Sequence, residues 1–342
     1  MLFCLVSSIT RQPMPNIFAS AIFFLVVLIG VTGLKTRGFG GRIPGDIFSS
    51  PACGLVNPVM LKVVTFNIQD IPLISIRRSE RMTAIAKELG ELDPDIVGFQ
   101  ESFVWKDRQT LVKKLKEYSR LQHHQYYPSG VFGSGLLISS VFPIVKISFQ
   151  QFSVSNPFYK FYEGDWWAGK GVALARLELP EGSGFIDVYN THTQAGYGNR
   201  TYNSLRKQQM EELAEFVIKS SKDTTPALIL GDINCRIGSE DCAAAVYGAD
   251  LLHLMSIESG LDHIFAAGHY NYWFELLETK KIEERIKIRG RNLTLSDHSG
   301  FMSSIYISQA ASTLFRDNIP LHAQFQEGIG LHTEYQDSTA VQ

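Results

Sequence analysis

The chain of 342 residues carries little net charge and few charged residues of either sign. Lys and Arg total 32 and Asp and Glu total 34, so the net charge is −2, and charged residues make up 19% of the chain. Domains that hold nucleic acid by neutralising phosphates are usually basic, so no stable nucleic-acid partner is expected. The hydrophobic fraction of 45% excludes a disordered polymer, a collagen-like chain and a coiled-coil rod. We expect a globular monomer.

Cysteine is scarce as well. The four cysteines are Cys4, Cys53, Cys235 and Cys242, and none of them lies in a CxxC or Cys/His zinc spacing. Cys235 and Cys242 are close enough in sequence to bridge a loop in an oxidising compartment, and two free thiols fit the same spacing equally well. The cysteine pattern therefore argues against structural zinc and leaves the redox compartment open.

Only one long hydrophobic run is present, over residues 17–34, which contain no charged residue. This length suits a signal-peptide core or a short membrane anchor, and it predicts a membrane-associated or secreted protein. Whether the run is cleaved or retained stays open. We predict a signal or anchor segment with its linker over 1–60, one folded domain over 61–308, and a polar tail over 309–342.

Polar side chains follow the short apolar strands that the sequence predicts. Strands are predicted over 61–66, 95–99, 185–190 and 227–230, and a late strand over 301–307. Strand ends that carry carboxylates, amides and imidazoles build a site on rigid supports. The candidate residues are Asn67, Glu101, Asn190, His192, Asp232, Asn234, Asp297 and His298.

This set is rich in hard oxygen donors, has two histidines and contains no cysteine. Such donors suit Mg²⁺ or Mn²⁺ better than structural zinc. Taken singly, an Asn or Asp after a strand is usually a turn residue, and a Glu there is more often a charge near a helix start. The recurrence of such positions along the chain favours a site, and Mg²⁺, or else Mn²⁺, is the expected cofactor.

The ordered motifs resemble those of the endonuclease/exonuclease/phosphatase superfamily over about residues 61–307. They are TFN at 65–67, QE at 100–101, SGLLI at 134–138 with PI at 143–144, NTH at 190–192, GDIN at 231–234 and SDH at 296–298. The resemblance implies an α/β (α+β) fold of the DNase I-like type, a four-layered sandwich of two mostly antiparallel β-sheets flanked by helices. It also implies Mg²⁺-dependent cleavage of a phosphoester.

The same resemblance implies which residues bind metal and activate water. Glu101 would be the main metal ligand, with Asn67 beside it. His298 would be the general base, and Asp297 would orient it. A neutral imidazole held by a carboxylate is a suitable base near pH 7.

The remaining motif residues would bind the phosphoryl group. By the resemblance, Asp232 would position the water or the metal, Asn234 would hold a phosphate oxygen, and His192 would donate to the developing charge. Asn190 is predicted to contact substrate. Fixed donors of this kind stabilise charge that develops on the non-bridging oxygens.

Segment 163–171, EGDWWAGKG, resembles the stretch before the central strand in neutral sphingomyelinases. That family has a Lys-Gly pair with an Asp five residues earlier, and Asp165 and Lys170 match this spacing. By the resemblance Lys170 would reach the substrate phosphate as a point charge, with Asp165 as its switch partner. Trp166 and Trp167 cannot both point inward on a regular strand, so at least one is expected to face solvent, a partner or a membrane. Both are predicted to bind substrate.

A second aromatic cluster occupies residues 270–274 and is predicted to lie near the rim of the site. Trp273 and Phe274 are the residues expected to contact a membrane. An ordinary core position is the other interpretation, because large aromatic side chains dominate protein cores.

Together these patterns predict a Mg²⁺-dependent phosphodiesterase of the neutral sphingomyelinase type. It would hydrolyse sphingomyelin in a membrane surface to ceramide and phosphocholine. One alternative is a nuclease or another phosphoesterase on the same fold, such as an inositol lipid phosphatase, although 260–265 (GLDHIF) lacks the motif of inositol polyphosphate 5-phosphatases. The other alternative is an inactive lipid-binding module.

Overall fold

The computed structural model describes residues 54–72, 75–130, 132–155, 168–196, 201–221, 224–268, 271–283, 285–288 and 291–310. The predicted apolar segment 17–34 lies outside these residues, as does nearly all of the predicted tail. Asp165, Trp166 and Trp167 also lie outside them, so their predicted substrate contacts stay predictions.

The described residues form helices and strands throughout. The helices are α1 (Arg78–Leu92), α2 (Trp105–Tyr118), α3 (Thr201–Ser221) and α4 (Glu240–Gly248), with a 3₁₀ turn at Pro180–Gly182. The strands are β1 (Val59–Asp70), β2 (Ile96–Ser102), β3 (His123–Tyr126), β4 (Leu137–Ser140), β5 (Ile144–Gln151), β6 (Gly171–Glu178), β7 (Phe185–His192), β8 (Ala227–Asp232), β9 (Leu252–His253), β10 (Asp262–Ala267), β11 (Tyr272–Ile282), β12 (Arg285–Ile288), β13 (Arg291–Thr294) and β14 (Gly300–Gln309).

Two six-stranded sheets organise the domain. The first has the order β11-β14-β1-β2-β4-β3 and the second has the order β5-β6-β7-β8-β10-β9. In each sheet the two central strands are parallel, β1 with β2 and β7 with β8, while the other neighbours pair antiparallel. The carboxyl ends of each parallel pair therefore lie at one edge of their sheet.

Side-chain alternation along β1 shows how the layers are built. Leu61 and Val63 enter the core between the two sheets, whereas Val64, Phe66 and Ile68 pack under the outer helices α1 and α2. A strand buried on both faces presents alternate residues to two different cores. The second sheet likewise has a separate core under α3 and α4. The layers are thus helix, sheet, sheet and helix.

The predicted fold class is confirmed: two mixed, mostly antiparallel sheets are flanked by helices. The spacing of Met82, Ile85, Ala86 and Leu89 correctly predicted α1, because all four side chains are buried on one face. Strand β11 was not predicted from the sequence. Its apolar alternation runs only through its first residues and is broken by a bulge between Leu276 and Glu278.

The aromatic cluster near residue 273 does not lie at the expected place. Trp273 pairs with Ser308 at one end of β11, whereas Ile282 pairs with Gly300 beside the motif at 296–298. Nine residues of strand separate Trp273 from Ile282, about 30 Å. Phe274 is 6% exposed and belongs to the core between the sheets. The predicted membrane contact is therefore wrong for Phe274, and the predicted position of Trp273 at the site rim is wrong as well.

The predicted placement at a membrane or outside the cell through segment 17–34 is corrected. Within the described part of the chain, no helix is both long enough and apolar enough to cross a membrane. The apolar segment on which the prediction depended lies outside that part.

Two histidines, the buried His263 and the half-buried His253, lie beside the loop that follows β8. His263 Nδ1 lies 3.3 Å from His253 Nε2, and His263 Nε2 lies 3.0 Å from the carbonyl oxygen of Cys235. The pKa of each imidazole is lowered to about 4; burial is the largest cause for both, and for His253 the charge of His263 adds to it. The thiols of Cys235 and Cys242 nearby are buried and free. Both imidazoles are therefore neutral at pH 7.

We expect His263→Gln to remove part of the acid lability of the fold. An imidazole with a folded-state pKa of about 4 stabilises the native state above its unfolded-state pKa of about 6.5. This contribution declines below pH 6.5 and is lost as the pH falls towards 4, on the order of 2–3 kcal/mol. Urea unfolding measures this effect. The free energy of unfolding of the unaltered protein should fall relative to that of H263Q as the pH is lowered from 7 to 4.5. A difference that stays constant with pH would contradict this assignment.

Candidate active site

Both sheets contribute to one site at the edge where their parallel pairs end. Asn67 and Glu101 come from the ends of β1 and β2, and His192 and Asp232 are the last residues of β7 and β8. Asn67 continues the alternation of Leu61 and Val63, so its side chain points between the sheets. Polar side chains from the four central strands therefore meet at one place.

Asp232 is the centre of the site. Its carboxylate accepts a hydrogen bond from Asn67 Nδ2 at 3.0 Å and another from the backbone N–H of Asn234 at 3.1 Å. His192 Nε2 and His298 Nε2 lie 3.6 and 3.7 Å from Asp232 Oδ2. Asp232 is 1% exposed, and burial raises its pKa. One carboxylate therefore joins four of the predicted site residues.

The carboxylate that orients His298 is Asp262. His298 Nδ1 lies 2.9 Å from Asp262 Oδ2, which leaves Nε2 directed towards Asp232. Asp297, predicted for this role, instead accepts a hydrogen bond from Gln69 Nε2 at 2.7 Å. The prediction that Asp297 orients His298 is therefore corrected. A signal for Asp262 was available, because this carboxylate stands at the start of the apolar run that forms β10 and is followed by His263.

The carboxylates around His298 change its acid–base behaviour. Burial lowers its pKa, but the hydrogen bond to Asp262 and the charges of Asp232, Asp262 and Asp297 outweigh burial and raise the pKa to about 10. The unscreened carboxylates thus hold a proton on the imidazole at neutral pH. For His298 to act as a base, positive charge must offset these carboxylates.

Glu101 and Lys170 form the buried charged wall of the site. The pKa of Glu101 is raised to about 7; burial is the largest cause and the charges of Asp232 and Asp297 add to it, while the hydrogen bond from Asn67 and the charge of Lys170 oppose the rise. Lys170 is 6% exposed and donates to the carbonyl oxygen of Thr193. Lys170 is therefore a buried charge and not a solvated surface lysine.

Two site residues have backbone angles that non-glycine residues seldom adopt. Glu101 has a φ of 59° and Asn234 has a φ of 51°. Each such conformation costs on the order of 1 kcal/mol and persists only where the surrounding structure enforces it. Asn234 is held by its N–H on Asp232 and by its Nδ2 on the carbonyl oxygen of Thr193. The two residues are therefore positioned by the surrounding fold.

His192 is a neutral donor. Burial, together with the charges of Lys170 and His298, holds the pKa of His192 well below its ordinary value. Its Nδ1 is buried without a hydrogen-bond partner among the described residues. A neutral imidazole has one N–H, so it can donate one hydrogen bond to a substrate oxygen and cannot act as a cationic acid.

The guanidinium group of Arg81, which was not predicted as a site residue, joins the end of β1 to the segment before His298. Arg81 Nε donates to the carbonyl oxygen of Leu295 at 2.6 Å, and its other nitrogens donate to the carbonyl oxygens of Ile68 and Gln69. Ser296 Oγ also donates to the carbonyl oxygen of Asn67 at 2.7 Å. These bonds tie the segment that precedes His298 to the end of β1. No local pattern marks a helix arginine for this role.

Asn190 belongs to the interior beneath the site. Its Nδ2 donates to the carbonyl oxygens of Phe99 and Leu137, and its Oδ1 accepts from Gln100 Nε2 at 2.7 Å. Asn190 is 0% exposed, and a Cβ on Gly98 would lie 3.2 Å from its Cγ. The predicted substrate contact of Asn190 is therefore wrong, because its amide is committed to joining the two sheets.

The residues of the site fit a divalent cation. The charges of Asp232, Asp262 and Asp297 all act on His298, and those of Asp232 and Asp297 also act on Glu101, whereas Lys170 is a buried cation that acts on Glu101 and Asp232. Donor atoms of Asp232, Asp262 and His298 lie within 4.8 Å of one another, and Asp262 Oδ1 is buried without a partner among the described residues. His298 Nδ1 is already bound to Asp262. The oxygen atoms that could bind a cation are therefore those of the carboxylates. Hard oxygen donors with excess negative charge suit such a cation.

Residues 64–298 match the model of the Endonuclease/Exonuclease/phosphatase family. The match spans most of the chain and includes the second sheet, the first sheet except β14 and the start of β1, and every strand-end residue of the site. A fold with two sheets that meet at a carboxylate-rich edge defines the same class of protein. The chain belongs to the endonuclease/exonuclease/phosphatase family.

Proteins of similar sequence indicate which branch of the family this chain resembles. A Drosophila melanogaster protein named "Putative neutral sphingomyelinase" is 29% identical over 272 residues, covering 72% of this chain and 60% of that protein. Sphingomyelin phosphodiesterase 2 of Rattus norvegicus is 36% identical over 177 residues, covering 51% of this chain and 41% of that protein. Inositol phosphosphingolipids phospholipase C of Schizosaccharomyces pombe is 31% identical, covering 52% and 41%. The chain thus spans between two fifths and three fifths of the length of these relatives.

Solved structures share the fold. Beta toxin from Staphylococcus aureus, in a mutant crystal structure with bound magnesium ions, has a TM-score of 0.57 at 17% sequence identity. The similarity covers 72% of this chain and 99% of that one. At this identity the likeness shows the fold.

We expect Asn190→Ala to lower stability. The substitution leaves two buried carbonyl oxygens and the Gln100 amide without their partner, at a cost of about 2–4 kcal/mol. Urea unfolding of N190A measures this loss. Unchanged stability together with a raised KM for substrate would show that Asn190 contacts substrate after all.

Proposed function

We propose that this protein is a Mg²⁺-dependent phosphodiesterase of the neutral sphingomyelinase type. It hydrolyses a phosphosphingolipid such as sphingomyelin to ceramide and phosphocholine. The observation that carries the proposal is the contact of Asp232 with both His192 and His298, with His298 held by Asp262. This arrangement supports a site in which a general base, a neutral donor and metal-binding carboxylates share one buried centre.

His298 takes the proton from the attacking water. Its Nδ1 is bound by Asp262, so its Nε2 is the atom that can receive a proton. Asp232 lies 3.7 Å from Nε2, a separation that allows a water to lie near both groups. The water oxygen forms a bond to phosphorus, and the bond from phosphorus to the ceramide oxygen breaks. The ceramide oxygen takes up a proton from solvent as it leaves, and His298 releases the proton of the water to solvent, so one water is added across the broken bond.

Three donors contact the phosphoryl oxygens in this proposal. Lys170 supplies a buried positive charge, which acts on the adjacent Glu101 and Asp232 and is close enough to act on an anionic substrate. His192 offers one neutral N–H, and the amide of Asn234 lies beside Asp232. Preorganised donors in a buried site stabilise developing charge better than water does.

Mg²⁺ is the proposed cofactor, and Glu101 and Asp232 are its proposed ligands, with Asn67 beside them. The carboxylate cluster supports a divalent cation, and the magnesium bound to beta toxin supports this ion. When bound, the cation supplies positive charge that stabilises the phosphoryl oxygens and lowers the pKa of His298 towards neutrality.

The names of the relatives support a phosphosphingolipid substrate. Two of them refer to sphingomyelin or sphingomyelinase and the third to inositol phosphosphingolipids. Choline and inositol substrates share the same scissile phosphodiester, so the site described above serves either headgroup. The proposed partner is a phospholipid in a membrane surface.

A side-by-side assay on sphingomyelin, inositol phosphosphingolipid, lysophospholipid, inositol phosphate and plasmid DNA tests the proposed function. We expect Mg²⁺-dependent release of phosphocholine from sphingomyelin that EDTA abolishes and Glu101→Gln strongly reduces. Glu91→Gln, an exposed change on α1, is the matched control and should retain full activity. Cleavage of DNA alone would assign a nuclease instead. Absence of both turnover and thermal stabilisation by Mg²⁺ would indicate an inactive module.

A double-mutant cycle tests the assignment of Asp262. His298→Ala should lower kcat by about 10²–10⁴-fold, because the general base is removed. Asp262 acts through His298, so Asp262→Asn should have little further effect in the H298A background. Asp297→Asn should retain its own effect in that background, since Asp297 binds Gln69. The reverse result, with D297N rather than D262N coupled to H298A, would contradict the assignment.

A further inference from the structure

Three exposed apolar side chains lie on loops at the site edge. Ile76 lies between β1 and α1 and is 63% exposed, Trp105 begins α2 directly after β2 and is 67% exposed, and Ile237 lies between β8 and α4 and is 46% exposed. Each loop follows a strand that ends in a site residue. We refer to Ile76, Trp105 and Ile237 as the apolar rim. The rim thus draws on both sheets.

The part of the rim on the first sheet has a fixed shape. Asp70, which is 0% exposed, accepts a hydrogen bond from the backbone N–H of Val104 at 3.0 Å and lies 3.4 Å from Arg78 Nε. Arg78 Nε also lies 2.9 Å from Asp107 Oδ2. These bonds join the chain next to Ile76 to the chain next to Trp105. The two side chains are exposed on a braced part of the surface.

The surroundings of the rim suit a phosphate-rich layer. Helix α2, which begins at Trp105, carries four lysines and one glutamate that reach solvent, whereas its Asp107 and Arg108 are buried; the four lysines are Lys106, Lys113, Lys114 and Lys116. A cleft of about 220 Å³ opens next to His298, between Glu283 and Ser299. Tryptophan favours the interface between a bilayer and water, and basic side chains favour phosphate headgroups. The rim and α2 therefore combine both preferences beside the site.

We propose that the apolar rim docks this protein on the surface of a phospholipid bilayer, with the site edge facing the lipid headgroups. This inference rests on the proposed function, because a substrate embedded in a bilayer must reach a site that ends in a buried carboxylate. Exposed apolar side chains around such an opening would enter the interfacial layer while the headgroup enters the site. The docking face is thus the edge opposite the one where Trp273 lies.

Quenching of tryptophan fluorescence by vesicles of brominated phosphatidylcholine tests the docking face in the full chain. EDTA is present, so no lipid is hydrolysed. Trp105→Phe should remove a large part of the vesicle-dependent quenching, because Trp105 enters the interface. Trp273→Phe, a matched change at the other end of the sheet, should leave the quenching in place. Equal quenching in both variants, or its loss in W273F alone, would overturn the proposal.

Turnover of sphingomyelin in vesicles provides the second measurement. Ile76→Ser with Trp105→Ser should lower kcat/KM about tenfold or more, as expected when two apolar side chains no longer enter the interface. Met60→Ser with Trp273→Ser is the matched control, since both side chains are exposed at the far end. Equal losses of kcat/KM in both double variants would overturn docking on the bilayer. Unchanged vesicle turnover in the rim variant, with loss of binding to a protein instead, would overturn it as well. Hydrolysis of a water-soluble choline phosphodiester by the unaltered protein tests the proposed function separately.

Discussion

The burial of Asp232 is the constraint on which the rest of the site depends. A carboxylate that is 1% exposed must have its charge compensated, and here its neighbours are an amide, a backbone N–H and two imidazoles. These neighbours come from both sheets, so the sheets must meet at this edge in one register. The same compensation leaves negative charge in excess around His298, which a divalent cation would offset. Structure and proposed chemistry therefore follow from one buried group.

The polar network beneath the site keeps the two sheets in that register. Asn190 in the second sheet bonds to backbone carbonyls and to Gln100 in the first sheet, and Gly98 permits the close approach. On the outer side, Arg81 ties the end of β1 to the loop that carries His298. The site is thus clamped from below and from the side, which keeps its donors preorganised.

The sequence predicted the central strands and their terminal residues well, because each is a short apolar run that ends in a polar side chain. The family resemblance assigned the orienting role to Asp297, which is next to His298 in the chain, whereas the partner Asp262 comes from β10 in the other sheet. Asn190 was assigned to substrate because nothing local distinguishes an amide that joins two sheets from one that faces a ligand. Phe274 was misplaced for a similar reason, since the register of β11 depends on β14. Long-range pairing, which no local pattern records, decided each of these cases.

Hydrolysis in water enriched in oxygen-18 tests the central claim most directly. If His298 activates a water that attacks phosphorus, mass spectrometry of the products from sphingomyelin should find one labelled oxygen in phosphocholine and none in ceramide. Label in the ceramide hydroxyl would show that water attacks carbon. That result would contradict a site built to bind and stabilise the phosphoryl group.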